Sequence, residues 1–210
     1  MMASDKSKGC DIKKIKLVSF NMHGFHQECS VIEDLINNDT SDIILLQEHW
    51  LTPAKLYSFE NRFSGYFSFG SFAMTKCLES GLLCGRPYGG VMTLISNRLR
   101  KHTVTVHCDE RFVIIKIFNY LLVNVYFPCS GTDNRLAVCA DLLTDIWSWR
   151  DYYRDCKCII AGDFNTNLDS RDDISRCLND FISDCSLVRC DDLFPSQKVN
   201  TYVNLSVNQY

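Results

Sequence analysis

The sequence has no excess of positive charge. Its 22 Lys and Arg are outnumbered by 25 Asp and Glu over 210 residues, for a net charge of −3 and a pI near 5.9. That argues against a protein that grips nucleic acid by bulk electrostatics, so any such contact must be local. Nor is there an apolar run long enough to span a bilayer. The longest, residues 112–127, is interrupted by Lys116, Asn119 and Asn124 and reads as two strands joined at Asn119-Tyr120. Residues 1–16 are polar and lysine-bearing, which excludes a secretory signal. No internal repeat, low-complexity tract or composition shift marks a second domain. Residues 1–14 are expected to form a disordered tail, and residues 15–210 one domain.

Cysteine is abundant instead, at twelve residues. With no signal before them and no second pair at zinc-finger spacing beside Cys156/Cys158 or Cys77/Cys84, they read as reduced thiols, mostly acting as small buried hydrophobes. The expected location is intracellular, nuclear or cytoplasmic.

Four apolar segments each end in polar groups suited to phosphate chemistry. Ile159-Ile160-Ala161-Gly162 runs into Asp163-Phe164-Asn165, and residues two apart on an extended segment point the same way. Residues 15–20 run into Asn21, residues 42–46 into Gln47-Glu48, and residues 121–125 into Tyr126. In α/β sheets, ligands bind beyond the carboxyl ends of the strands. An acid able to take a proton from water, beside an amide, suits attack on a phosphate held near a metal ion. Taken singly, each segment also fits a plain turn: Asx caps at Asp163 and Asn165, a capping acid at Glu48, an aromatic packed beside Pro128 at Tyr126.

Together, Ser19-Phe20-Asn21, Leu46-Gln47-Glu48-His49-Trp50-Leu51, Gly85-Arg86-Pro87-Tyr88-Gly89-Gly90-Val91, Asn124-Val125-Tyr126-Phe127-Pro128 and Gly162-Asp163-Phe164-Asn165 resemble the exonuclease–endonuclease–phosphatase superfamily. Within it they look like the endonuclease domain of non-LTR retrotransposons, over about residues 15–210. The resemblance implies an α/β fold, a four-layer sandwich of two mixed β-sheets flanked by helices. It also implies a metal-dependent endonuclease that nicks DNA, with a reverse transcriptase portion in a full-length relative. Two alternatives stay open: a catalytically inactive, retroelement-derived remnant that binds nucleic acid, or another phosphoesterase of the superfamily.

Glu48, a hard carboxylate, is the best candidate ligand for Mg²⁺ or Mn²⁺. By resemblance Asn21 helps hold the metal network, Asp163 orients or deprotonates the attacking water, Asn165 binds the scissile phosphate and Tyr126 donates to its oxygens. Arg111 and Thr201 are further candidates for substrate contact. His23 and His49 are placed at the rim. The resemblance also implies a terminal Ser-Asp-His motif. No Asp-His dipeptide occurs here and the sequence stops at Asn208-Gln209-Tyr210, so the domain is expected to lack its last strand or strands, with impaired activity.

Local basic groups that could meet DNA are Lys13, Lys14, Lys16, Arg86, Arg98, Arg100, Lys101 and His102. A coarse reading places helices at 28–37, at 172–185 and at 133–153, the last capped by Asp133 with Leu136, Ala140, Leu143 and Trp147 at helical spacing on one face. Strands are predicted at 15–21, 42–48, 66–73, 89–96, 103–107, 112–118, 121–126 and 158–161, with weaker extended stretches at 187–190 and 201–205.

Overall fold

The computed structural model describes residues 14–38, 41–72, 74, 81 and 87–193. Lys13, Arg86 and Thr201 lie outside the described residues, as does the stretch predicted at 201–205. The chain divides into two compact units, Met1–Asn165 and Thr166–Tyr210.

The first unit is a sandwich of two four-stranded mixed sheets. Strands β1 (Leu17–Asn21), β2 (Ile43–Gln47), β3 (Tyr66–Ser71) and β4 (Val91–Ser96) form one sheet in the order β1-β2-β4-β3. Strands β5 (Thr103–Cys108), β6 (Phe112–Ile117), β7 (Tyr120–Tyr126) and β8 (Lys157–Asp163) form the other, in sequence order. One pair in each sheet is parallel, β1 with β2 and β7 with β8. Parallel neighbours need a crossover, which α1 (Phe25–Asn37) and α3 (Arg135–Tyr152) supply. Two β-α-β units therefore face each other across the sandwich. The short α2 (Ser58–Arg62) precedes β3.

Period-two alternation divides the core. Ile44 and Leu46 of β2, with Met92 and Leu94 of β4, pack against Phe25 and Ile32 of α1 and against Phe59 and Phe63. The intervening Ile43, Leu45, Val91 and Ile95 meet Val113, Ile115, Ile117 and Leu122 of the second sheet. Strand β2 is buried along its whole length, which is why its sequence is an unbroken aliphatic run. Each such side chain contributes roughly 1.5–3 kcal/mol by leaving water.

Several elements differ from the sequence reading. Helix α1 starts at Phe25 because its N-cap is Gly24, at φ 112° and without a side-chain cap, so no polar residue marks its start. Asn134, in the left-handed region, caps α3 in place of Asp133. The buried face of α3 is Cys139, Leu142, Leu143 and Ile146, whereas Leu136 and Trp147 are exposed. Helix α3 carries two apolar stripes, and packing selected the i, i+3, i+4, i+7 one. Of the nine described cysteines only Cys139 and Cys185 are buried, so burial is not their common property; all nine are free thiols.

The basic groups around β4 lie at the wrong end for the four strand termini. Strand β4 runs antiparallel to β2, so Arg98 sits beside Asp42, before β2 begins, with Nη2 2.5 Å from the Asp42 carboxylate. Arg100 lies over the Phe67 ring and His102 stacks on Phe118. At ~3.3 Å per residue, Asp42 and Glu48 are roughly 20 Å apart along the chain.

In the second unit, α4 (Asp173–Asp184) is capped by Asp172, which accepts from the Ser175 N–H at 2.8 Å, and buries Ile174 and Leu178. The predicted extended stretch at 187–190 is not a strand; a one-turn helix, α5 (Cys190–Leu193), begins at its last residue. Among the described residues no helix is long and apolar enough to cross a membrane.

Candidate active site

The carboxyl ends of the two parallel pairs converge: Asn21 ends β1, Glu48 follows β2, Tyr126 ends β7 and Asp163 ends β8. The Asn21 amide links them, with Nδ2 donating to Glu48 Oε1 at 2.9 Å and to Asp163 Oδ2 at 2.8 Å. Its Oδ1 accepts from the His23 N–H at 3.0 Å, which fixes which end of the amide faces the acids. One carboxamide thus holds together two carboxylates carried by different sheets. Asn21 stands in the site as their bridge, with its oxygen already engaged.

Asp163 Oδ1 accepts from the Asn165 N–H at 2.9 Å, so both acid oxygens are oriented. Asn165 donates through Nδ2 to the Phe127 carbonyl at 2.9 Å and takes a left-handed backbone at φ 48°. Arg135, at the start of α3, ties the two loops together by donating to the carbonyls of Pro128 (2.9 Å) and Asn165 (2.6 Å). Nothing in its sequence context separates it from an ordinary surface arginine.

The Tyr126 hydroxyl is turned toward Glu48. Burial, and then the Glu48 carboxylate beside it, hold the phenol well above its ordinary range, so it stays protonated and able to donate at neutral pH. The Arg111 guanidinium lies 5.7 Å over the Tyr126 ring centre, which places that residue too at the cleft.

Beneath these groups lies a buried polar bolt. Gln47 Nε2 donates to Asn124 Oδ1 at 2.7 Å and to Ser19 Oγ at 3.2 Å. Asn124 Nδ2 reaches the Met92 carbonyl at 3.0 Å. Gln47 and Asn124 are each 1% exposed and come from opposite sheets. The sequence did carry a signal: each is a polar residue inside a buried aliphatic strand, and such a residue requires a partner.

The two rim histidines part company. His23 is at the rim, its side chain 76% exposed and Nδ1 3.7 Å from Glu48 Oε2. His49 is fully buried, a correction to its rim placement. Its Nδ1 accepts from the Leu51 N–H at 3.0 Å, so Nε2 carries the proton and donates to the Ser71 carbonyl at 2.9 Å.

Burial lowers the His49 pKa from 6.5 to about 4. The unfolded chain therefore binds a proton in a range where the folded one does not. The stability due to neutral His49 is complete above about pH 6.5 and is lost as pH falls toward 4, by up to about 3 kcal/mol. Urea unfolding across that window should show the decline, and His49→Gln should remove this part of the slope.

Residues 18–204 match the model of the Endonuclease/Exonuclease/phosphatase family. The chain belongs to that family. Its fold is similar to that of an AP endonuclease from Leishmania major, with a TM-score of 0.69 at 14% identity, covering 92% of this chain and 74% of that one. An AP endonuclease from Archaeoglobus fulgidus gives 0.62 at 14% identity, covering 93% and 80%. A 3′ phosphatase from Neisseria, bound to product DNA hairpin, gives 0.53 at 14% identity, covering 81% and 71%. No curated protein matches the chain.

The family's members are nucleases and phosphatases, and a hydrolytic site agrees with this donor set. Among the described residues no three His, Cys, Asp or Glu side chains gather as a metal cluster. Glu48 and Asp163 are hard oxygen donors, and a divalent ion of the Mg²⁺ type needs only one or two carboxylates, completing its shell with water and phosphate. The residues present fit such an ion.

Proposed function

We propose that this chain is a Mg²⁺- or Mn²⁺-dependent endonuclease domain that nicks DNA, of the retrotransposon type. The observation that carries the reading is the Asn21 amide bridging Glu48 and Asp163, one acid from each sheet. A structural turn has no use for two acids held this way, and a site that must hold a cation and activate a water does.

Glu48 would hold the metal, with Asn21 orienting its carboxylate. When bound, the ion would offset phosphate charge and polarise the phosphorus centre. Asp163, oriented on both oxygens, takes the proton from the attacking water. Asn165 keeps a second amide N–H for a phosphate oxygen while the first is committed to Phe127. Tyr126, held neutral, donates to the charge that builds on phosphate in the transition state. Arg111 adds positive charge at the same lip, and Thr201 is proposed as a further substrate contact.

Supercoiled-plasmid nicking tests the reading. Relaxed circles should appear with Mg²⁺ or Mn²⁺ and not with a chelator. Glu48→Gln should lower the rate at least ~10²-fold, the usual cost of one preorganised electrostatic group. A rate in chelator equal to that in Mg²⁺, or an unimpaired Glu48→Gln protein, would reject it.

A further inference from the structure

Backbone geometry singles out a second feature of the cleft. Eight non-glycine residues among those described have positive φ, and four are at the site: His23 (47°), Glu48 (56°), Trp50 (56°) and Asn165 (48°). Asparagine tolerates this region, but for a residue as bulky as tryptophan it is a true outlier. Such outliers persist only where surrounding structure enforces them, and they gather at ligand clamps.

The enforcement is visible. The loop after β1 is sewn to the loop after β2 by Gly24 N–H to the Glu48 carbonyl at 2.8 Å and Phe25 N–H to the His49 carbonyl at 2.9 Å. The second loop is fixed in turn by Trp50 N–H to the Gly89 carbonyl at 3.0 Å. Gly24 is required by closeness: a Cβ there would stand 2.7 Å from Trp50 Cε3. The product is an aromatic pair, the His23 and Trp50 rings 4.8 Å apart and tilted 58° to each other, with the imidazole 76% exposed and 3.7 Å from the Glu48 carboxylate. Neither ring has a role in the hydrolysis derived above.

We infer that the exposed His23 ring, braced at a tilt by Trp50, is a stacking ledge for a nucleobase next to the scissile phosphate. The substrate class it implies is DNA with an unstacked nucleotide at that place: a single strand, or a duplex locally opened. This rests on the proposed phosphodiesterase reading, and the chain's charge supports it. With a net charge of −3 and the β4-end cations roughly 20 Å away, the electrostatic grip at the cleft rests on few groups, Arg111 among them. Stacking needs no net charge, and every base has a face to offer.

The test is binding in chelator, where no turnover occurs. Fluorescence anisotropy compares a single-stranded 12-mer, the same 12-mer built of abasic residues, and its blunt duplex. The wild-type protein should bind the base-bearing strand roughly five- to a hundredfold more tightly than the abasic strand of equal charge. His23→Ala should erase most of that ratio without changing the salt slope, and His23→Phe should keep it. Trp50→Leu should erase it as well; if that variant does not fold, the two His23 variants decide.

Equal binding of base-bearing and abasic strands by the wild type overturns the ledge. So does a ratio that survives His23→Ala, or one lost in His23→Phe, which would assign His23 a hydrogen-bonding role. The two readings separate cleanly. A protein that nicks with Mg²⁺ yet ignores bases keeps the catalytic reading and loses the ledge. A protein that discriminates but never nicks does the reverse.

Discussion

Asp163→Ala should lower the plasmid-nicking rate by ~10³–10⁴-fold while leaving the fold cooperative. A positioned general base contributes about 10²–10⁴ in rate, and this substitution also frees the Asn21 amide from its second anchor at 2.8 Å and the Asn165 N–H from its acceptor at 2.9 Å. The expected deficit therefore lies in the upper part of that range. Stability should change little, because Asp163 is only partly buried and water can take over both donors. Nicking by purified variant and wild type, beside their urea unfolding curves, reads both quantities. A variant within tenfold of wild type would remove Asp163 from the chemistry.

The largest stability effect is expected one residue earlier. Gly162 stands at φ 145° in β8, and a Cβ added there would lie 2.0 Å from the Val125 carbonyl oxygen and 2.7 Å from its nitrogen. Both atoms are backbone of the paired strand β7, so no side chain can swing aside. Gly162→Ala must push the two strands apart beside Tyr126 and Asp163. The cost should reach about 4 kcal/mol or more, in the range reserved for forced backbone rearrangement, and a marginally stable domain loses most of its stability at that level. Urea unfolding measures it. A loss under 1 kcal/mol would show that the parallel pair can separate without penalty.

How much of this was legible depends on whether a feature announces itself locally. Strands β2, β4, β6 and β7 were readable because continuous aliphatic runs have few other uses, and the polar residues ending them pointed to the cleft. The start of α4 was placed to within a residue, and the structure makes Asp172 its cap through the Ser175 N–H three residues on. Asn134 and Gly24 cap helices through backbone conformation alone, which leaves no letter to recognise. His49 shows the same limit in the site itself. Beside the candidate acid Glu48 and before an aromatic it reads as a rim residue, yet its two ring nitrogens are satisfied by Leu51 and Ser71, the second 22 positions away. The Gln47–Asn124 pair was visible as two oddities, but a separation of 77 residues hid that each answers the other.

The division of the chemistry between two sheets sets a timetable for the growing chain. Asn21 and Glu48 leave the ribosome before the other two, and Tyr126 and Asp163 follow 78 and 115 residues after Glu48. At ~5–20 residues per second, Glu48 waits roughly ten seconds for its partner acid. Until β8 is made and has docked on β7, the nascent polypeptide holds Asn21 and Glu48 without the Asp163 carboxylate that the Asn21 amide also binds. The proposed site is therefore assembled only as the second parallel pair closes.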